Sequence, residues 1–513
     1  MSWWHRLQRF WKGVQGKPRQ DGAETGRAGG GKSPGVGTRQ EGDHAASRQK
    51  GNDPKGRWEE VAEATGLRAR FARFQENTST QFVGVDETWP RIQIVIGLDF
   101  GTSYTKVAIG ESRIHYAVPF REDQEGVQRY LVPGVLDEDV NGNCAIGSTE
   151  AHRQFNNLKV PLLQKEFSVD TQARIVAYLA LVLRHARGWL MAEHGETYKG
   201  YGLEWFVNVG LPTANALDRA LTGAYSRIVH AAWGLSVRQE PVTLALAEEA
   251  LKRAGERRES SVSEDESGFL HPDAISSFPE FVAQVASYVR SPMKSEDLHV
   301  LVDIGAGTLD VTVFNVMEDE GEYRYPIMAR TVKPLGTEFL MRNRNIKSKK
   351  GKELEYQAQD PVPEATDLSV LLGVSLSEIE EMDKEFERKV RESVGEPIRY
   401  TKTQRYPMSR KWKEGVPFFL CGGGAKCGFY QKTISEYLEL ANWSSVLRAL
   451  PRPEGLQAPG LENDQFDRLA VAYGLSMDAL DIGELVRPED IEDVPRENES
   501  AAWKEKFIDK DQV

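Results

Sequence analysis

The hydrophobic and polar positions of this chain form two similar strand–turn–strand patterns. Residues 92–110 read IQIVIGLDFGTSYTKVAIG, where a β-branched run leads into a Gly-Thr-Ser turn and a second apolar run follows. Residues 298–316 read LHVLVDIGAGTLDVTVFNV and repeat this arrangement. Apolar runs of this length on either side of a short glycine-rich turn predict a buried strand, a tight turn and a returning strand.

Other apolar patterns predict an α/β protein. The 3.6-residue period of amphipathic helices appears at 170–193, 281–289, 375–394 and 466–479, and in a segment that ends near Trp233. Short apolar runs predict further strands at 116–133, 144–146, 205–209 and 418–420. Residues 247–277 combine a charged helix with a Ser/Glu-rich loop that reads as a surface insertion.

The first 14 residues, MSWWHRLQRFWKGV, predict a short amphipathic helix. Its apolar face carries three tryptophans, whereas the opposite face is cationic. This composition is typical of a helix that lies in a membrane interface. A helix that docks on its own globular body or in a partner's groove is the alternative.

Differences in composition distinguish three further segments outside the α/β body. Residues 15–57 contain almost no large apolar side chain and predict a disordered basic linker, whereas 58–90 predict a helical lead-in. The end of the chain, 481–513, is an acidic tail that we expect to fray from Arg487 onward.

Charge and cysteine content limit the cellular compartment and the kinds of partner that we expect. The net charge is −12; Met1–Arg57 hold 12 Lys+Arg against 5 Asp+Glu, or +7, so the remainder carries −19. An acidic body argues against a nucleic-acid partner, whereas the basic end suits an anionic membrane or an acidic protein. The three cysteines form no CxxC pair, and there is no signal peptide or transmembrane-length run. We therefore expect a cytoplasmic protein, with peripheral attachment to the cytoplasmic face of a membrane as a further expectation.

The two turns carry candidate chemistry for phosphate. Gly101 lets the backbone approach a ligand closely, and the amides and hydroxyls of Thr102, Ser103 and Tyr104 can donate to phosphate oxygens. Asp99, at the strand end, is placed to hold a metal through water. Two such hairpins suggest two similar lobes that close on one nucleotide.

This pairing resembles the actin, sugar-kinase and DnaK-type heat-shock ATPase superfamily. GLDFGTSYTKVAIG is similar to the first phosphate motif of the DnaK-type branch. The resemblance implies that Asp99 orients magnesium-bound water. It also implies that the turn formed by Gly101, Thr102, Ser103 and Tyr104 holds the β- and γ-phosphates.

The second hairpin, VDIGAGTLDV, resembles the second phosphate motif of the family, D-x-G-G-G-T-x-D. The resemblance implies that Asp303 binds magnesium water, that Thr308 faces the γ-phosphate and that Asp310 positions the lytic water. The turn between them is Gly305, Ala306 and Gly307. Ala306 replaces a glycine, which the turn can accommodate only if φ stays negative there.

Three further positions match family motifs between the hairpins. Lys159, in NNLKVPLL, corresponds to the catalytic lysine. Pro212 corresponds to the strand-end proline that couples nucleotide state to the surface, and Glu280 opens a helix near the metal. Taken singly, these would be a solvated lysine, a loop proline and a glutamate that complements a helix dipole.

The resemblance also implies an adenosine site in the second half of the chain. FFLCGGGAK supplies Gly422, Gly423 and Gly424 beside the purine and ribose, and Lys426 where the family has a base-stacking arginine. Asp467 opens the closing family helix, DRLAVAYGLS. Gly336 and the pair Lys389 and Ser393 are further candidates, although a solvated charged helix explains the last two equally well.

The resemblance covers about 390 residues and predicts a two-lobed actin-like ATPase fold of duplicated ribonuclease-H-like lobes, 91–297 and 298–480. It implies ATP and Mg²⁺ as cofactors, with ATP, ADP and an unidentified protein as partners. Nothing after 480 matches a peptide-binding domain. We therefore expect a slowly hydrolysing DnaK-like nucleotide switch, tethered by its N-terminal helix. An actin-like filament ATPase, a small-molecule kinase and a degenerate nucleotide-dependent scaffold are the alternatives.

Overall fold

The structure is a computed structural model that describes residues 89–121, 123–147, 151–212, 218–259, 270–319, 321–347, 356, 359–360 and 362–491. These residues all belong to one compact unit, Trp58–Val513. The predicted N-terminal helix and linker lie outside the described residues. The same holds for nearly all of the helical lead-in and for the tail beyond residue 491.

The described residues form an α/β protein. The strands are β1 Arg91–Phe100, β2 Tyr104–Glu111, β3 Ile114–Ala117, β4 Val132–Pro133, β5 Leu136–Glu138, β6 Cys144–Ala145, β7 Arg153–Phe155, β8 Gly202–Leu211, β9 Ile275–Pro279, β10 Asp297–Ile304, β11 Leu309–Asp319, β12 Glu322–Lys333, β13 Val416–Cys421, β14 Ser445–Arg448, β15 Leu456–Gln457 and β16 Glu484–Val486. The α-helices are α1 Lys159–Leu163, α2 Val169–His194, α3 Arg219–Ser236, α4 Leu244–Glu259, α5 Glu280–Val289, α6 Thr337–Lys347, α7 Ala365–Leu372, α8 Leu376–Tyr400, α9 Lys411–Glu414, α10 Gly428–Leu440, α11 Ala470–Leu475 and α12 Ala479–Ile482.

The two large sheets have the same strand order. The first runs β15-β3-β2-β1-β8-β9, with β4 added beside β2, and the second runs β16-β12-β11-β10-β13-β14. In each sheet a three-stranded antiparallel meander is followed by two parallel strands, and a short strand pairs in parallel with the third meander strand. A third, small sheet has the order β6-β5-β7. The two predicted hairpins are β1–β2 and β10–β11, which are the first two strands of each large sheet along the chain and lie at its centre.

The central strands are buried because helices pack on the sheets. From Ile94 to Phe100 every residue of β1 is buried, which is the pattern of a strand covered on both faces. Helices α2, α3 and α4 contribute to the apolar core of the first sheet, and α8 and α10 to that of the second.

One helix from each half of the chain packs on the other half's sheet. Helix α5 follows β9 of the first sheet, yet the ring of Tyr288 lies 4.8 Å from that of Phe419 in the second sheet. Helix α11 comes from the second half, and its Tyr473 ring lies 4.8 Å from His115 in β3. A Cβ on Gly474 would lie 2.0 Å from the carbonyl oxygen of Ala283, so α11 and α5 meet backbone to backbone.

Most predicted elements are present, with different bounds. The helices predicted at 170–193 and 281–289 are confirmed as α2 and α5, and the helix at 375–394 continues to Tyr400. The charged helix within 247–277 is α4, whereas 260–269 lie outside the described residues. The strand run predicted at 116–133 is divided between the end of β3, a 3₁₀ turn and β4.

The single helix predicted at 466–479 is wrong. The structure has a 3₁₀ turn at Asn463–Arg468, then α11 and α12. Asn208 holds the break because its Nδ2 donates to the carbonyl oxygens of Leu475 and Met477, both at 2.9 Å. Asp478 then caps α12 by accepting from the Leu480 amide. The apolar period continues through the break, so the sequence pattern gave no sign of it.

One of the described helices, α2, has the length and apolar character of a membrane span. However, 89% of its apolar window is buried inside the protein, as in the core helix of a folded domain.

Candidate functional site

Asp99 and Asp303 occupy equivalent positions near the ends of β1 and β10. In the antiparallel register of the first hairpin Asp99 faces Lys106, and in that of the second Asp303 faces Asp310. Each aspartate is followed by a glycine-containing turn, which connects it to the residue opposite. The two predicted phosphate hairpins therefore have one geometry, with a lysine in one where the other has an aspartate.

The first turn leaves its amides free. The carbonyl oxygen of Ser103 accepts from the Gly134 amide at 2.8 Å and from Gln359 Nε2 at 3.4 Å. Within the described chain, the amides of Thr102 and Ser103 have no hydrogen-bond partner. A Cβ on Gly101 would lie 2.4 Å from the Tyr104 carbonyl oxygen, so this turn requires glycine there.

The second turn is built in the same way. The amides of Thr337 and Glu338, at the start of α6, donate to the carbonyl oxygens of Gly305 and Ala306 at 3.1 and 2.9 Å. Gly336 allows this contact, because a Cβ there would lie 2.3 Å from the Ala306 carbonyl oxygen. Ala306 is not among the described residues with a positive φ, so the alanine fits the turn as required.

Both turns therefore present unpaired N–H groups. In the second, the amides of Ala306, Gly307 and Thr308 have no partner in the described part of the chain. Carbonyl oxygens of both turns are already bound by the protein, so the free groups are donors. Successive free amides in a turn form a concave site for an anion such as phosphate.

Acidic and basic side chains from both sheets meet next to these turns. Lys106 Nζ lies 2.9 Å from Asp99 Oδ2, and Lys159 Nζ lies 2.7 Å from Glu280 Oε1. Gln284, one turn after Glu280 on α5, donates from Nε2 to Asp303 Oδ2 at 2.8 Å. Predicted residues from distant parts of the sequence are thus in contact.

Burial and mutual repulsion raise the pKa of two of these carboxyls. Burial raises the pKa of Asp303 to about 6, and the carboxylates of Glu280 and Asp99 add to this, whereas Gln284 and Lys106 lower it. The pKa of Asp310 is raised well above its ordinary value by burial and by Asp303 and Glu280. Asp310 Oδ1 is buried without a hydrogen-bond partner.

The cluster suits a divalent cation held through water. It contains four carboxyls and two ammonium groups, so its formal charge when fully ionised is −4 + 2 = −2. No group of three or more His, Cys, Asp or Glu side chains in the described residues could ligate a metal directly. Mg²⁺ characteristically keeps several waters and takes only one or two carboxylates. The fit to Asp99 and Asp303 therefore rests on uncompensated charge and on the unpaired Asp310 oxygen.

Lys159 is buried and charged. Burial alone would lower its pKa, but the Glu280 carboxylate raises the pKa above the ordinary value. Taken singly, the sequence suggested a solvated lysine, whereas the structure buries Lys159 at the start of α1. Parallel pairing of β8 and β9 sets Leu211 beside Pro279, and the next residues along these two strands are Pro212 and Glu280. The strand-end proline and the glutamate that contacts Lys159 thus leave adjacent strands of one sheet.

The glycine run packs against the end of β10. Gly422 has φ +88°, and a Cβ there would lie 2.3 Å from Asp303 Oδ1. The amide of Gly424 donates to the carbonyl oxygen of Ile304 at 2.8 Å. The predicted adenosine motif is therefore in contact with the second aspartate.

Other predicted adenosine residues are more scattered. Lys426 is exposed, and its Nζ lies 2.8 Å from Asp464 Oδ2. Burial raises the pKa of Asp467, whose Oδ1 has no hydrogen-bond partner. Lys389 pairs with Glu385 at 3.0 Å, and Ser393 Oγ donates to the Lys389 carbonyl oxygen. The polar contacts of Lys389 and Ser393 thus stay within α8, and their adenosine role stays a prediction.

Two residues of the cluster were missed by sequence reasoning, although a signal for each exists. Lys106 lies seven residues after Asp99, as Asp310 does after Asp303, so alignment of the two hairpins identifies it. Gln284 lies four residues after Glu280, hence on the same face of a helix. A third residue, Arg468, lies against Gly423 with no such signal.

No protein-family model and no curated protein sequence matches this chain.

Proposed function

We propose that this protein is an ATP-binding and slowly hydrolysing nucleotide switch of the actin-like ATPase type, with two lobes built around the two large sheets. The observation that carries the proposal is the equivalence of Asp99 and Asp303, each ahead of a turn with free amides, in sheets of identical strand order. The exchange of α5 and α11 between the halves supports a common two-lobed unit.

Each residue of the site would have its own role in nucleotide binding or hydrolysis. Bound Mg-ATP would supply the phosphoryl group and the cation that neutralises it. The amides of Ser103 and Thr308 would donate to phosphate oxygens, and Asp99 and Asp303 would orient metal-bound water. Lys159 would stabilise charge on the transferred phosphoryl group, and Asp310 would position the attacking water.

Ligand binding would require the ion pairs of the cluster to change. In the structure Lys106 pairs with Asp99 and Lys159 pairs with Glu280. A phosphate chain would compete for both ammonium groups, and a cation would take over the carboxylates. Glu280 and Pro212 follow adjacent strands. A change in the ion pair of Glu280 could therefore move the strand end at Pro212 and transmit the nucleotide state to the surface.

The test is magnesium-dependent ATP hydrolysis by the Asp303→Ala variant. We expect activity to be abolished in this variant and retained in Asp481→Ala, which alters an exposed aspartate on α12. A fully active Asp303→Ala protein would overturn the assignment.

A second candidate is an actin-like filament-forming ATPase. The edge strand β14 exposes Val446 by 41% and Leu447 by 67%, and Leu440 at the end of α10 is 75% exposed. Apolar side chains on an open edge favour association between copies. ATP-dependent pelleting that Leu447→Lys abolishes would favour this function over a monomeric switch.

Residues 1–14 complete the proposal as a tether to an anionic membrane or a protein partner. This part rests on the tryptophan-rich and cationic faces of the sequence alone.

A further inference from the structure

Arg468 extends into the space beside the glycine run. It is the last residue of the 3₁₀ turn Asn463–Arg468, and its side chain is half-buried. A Cβ on Gly423 would lie 3.6 Å from its Cζ and 3.7 and 3.8 Å from its Nη2 and Nη1. The guanidinium therefore lies directly against the backbone of the turn that follows β13.

The positive charge of Arg468 also acts on Tyr104, at the end of the first turn. Burial raises the pKa of Tyr104, and among the charges that lower it Arg468 contributes most. The Tyr104 hydroxyl donates to the carbonyl oxygen of Gln359 at 2.9 Å and forms no hydrogen bond with Arg468. The guanidinium thus lies against the Gly423 turn and acts electrostatically on Tyr104, and it forms no hydrogen bond with either.

Arg468 differs from the other cations around the site. Lys106, Lys159 and Lys426 each pair with a carboxylate at 2.7–2.9 Å. The Arg468 side chain has no ion pair and no hydrogen bond with any residue that the structure describes. The neighbouring Asp467 also keeps a buried, unpaired Oδ1. The N–H donors of the guanidinium are therefore open to a ligand that supplies acceptors.

We propose that Arg468 binds the phosphate chain of the nucleotide and thereby joins the Gly423 turn to the first turn; the assignment rests on the proposed function. A guanidinium presents a planar fork that matches two phosphate oxygens, whereas a base offers it only a stacking face. The free amides of the first turn face the same kind of ligand. Lys426, the expected base-stacking residue, is exposed and already paired with Asp464.

The test compares Mg-ADP with adenosine by titration of the full chain. Arg468→Gln should weaken Mg-ADP binding about ten- to a hundred-fold, because one charge-assisted contact is lost, and leave adenosine binding unchanged. Arg468→Lys should recover part of the loss. Arg410→Gln, at an exposed arginine, is the matched control and should change neither affinity.

Equal weakening of Mg-ADP and adenosine would show base stacking and overturn the phosphate assignment. Unchanged Mg-ADP binding by Arg468→Gln, with the control also unchanged, would exclude Arg468 from the site. If the unaltered chain binds no Mg-ADP, the proposed function itself fails and this assignment fails with it. Circular dichroism of both variants excludes misfolding as the cause of any loss.

Discussion

Lys159 Nζ lies 2.7 Å from Glu280 Oε1, although 121 residues separate them in the chain. Lys159 opens α1 and Glu280 opens α5, so the pair joins two helix starts, and both charges act on Asp310, which follows the second turn. The lysine is almost fully buried, with 5% of its side chain exposed. A buried lysine that a carboxylate keeps charged is suited to stabilising negative charge on a bound phosphate.

Replacing Lys159 with methionine should therefore slow hydrolysis more than it weakens binding. We expect kcat for Mg-ATP to fall by about 10²- to 10³-fold, as when one group that stabilises the transition state is removed. Binding of Mg-ADP should change by much less, because the turn amides remain. Single-turnover hydrolysis and ADP titration measure the two quantities.

Lys199→Met is the matched control, since Lys199 is exposed and, among the described residues, pairs with exposed Glu196 alone. Loss of ADP binding in parallel with kcat would show that Lys159 supports the fold of the site and not the reaction.

Asp303 makes the stability of the protein depend on pH. Its pKa is about 6 in the folded state against 3.8 as the ordinary value. Between these values the folded protein retains a proton that the unfolded chain releases. The contribution of Asp303 to the free energy of unfolding therefore falls as the pH rises from 4 to 6.

Asp303→Asn removes this dependence and keeps the amide partner Gln284 within reach. We expect the variant to match the original at pH 4 and to exceed its free energy of unfolding at pH 8 by on the order of 3 kcal/mol. Urea unfolding across this range is the measurement. If the free energy of unfolding of the two proteins changed with pH in parallel, burial would not raise the pKa of Asp303.

The contact between α5 and α11 should tolerate no side chain at Gly474. A Cβ there would lie 2.0 Å from the Ala283 carbonyl oxygen, so the two helices would have to separate. We expect Gly474→Ala to lower the free energy of unfolding by roughly 1–3 kcal/mol, the usual cost of overpacking. Gly255→Ala, in α4, meets no atom within 4 Å and should be neutral or stabilising.

The sequence indicated the hairpins well, because their apolar runs and turn glycines are local signals. Asp99, Asp303 and Glu280 could be assigned from motif order, and the structure brings them into one cluster. Arg468 could not be found in this way, since its position depends on how the 3₁₀ turn folds back onto Gly423. The break after α11 was missed for the same reason, because Asn208 in a distant strand holds it.

The strand order of the sheets also exceeds what local patterns can predict. Pairing of β15 with β3 and of β16 with β12 joins segments that are far apart in the chain. Each of β15 and β16 has only two or three residues, too few for periodicity to be detected. The matching parallel edge strands of the two sheets are therefore visible only in the fold.

Deleting residues 1–14 should release the protein from anionic liposomes at physiological salt. The prediction rests on the three tryptophans and the cationic face of this segment. Flotation with phosphatidylserine vesicles, compared with neutral vesicles, is the measurement. Unchanged flotation of the truncated chain would exclude the membrane tether and leave protein docking.

The central claim is that the two turns hold one magnesium-bound nucleotide between them. Titration calorimetry of the full chain with ATP, with and without Mg²⁺, tests it most directly. We predict one ATP bound per chain, with an affinity that falls sharply when Mg²⁺ is chelated. Absence of binding at millimolar Mg-ATP would contradict the account.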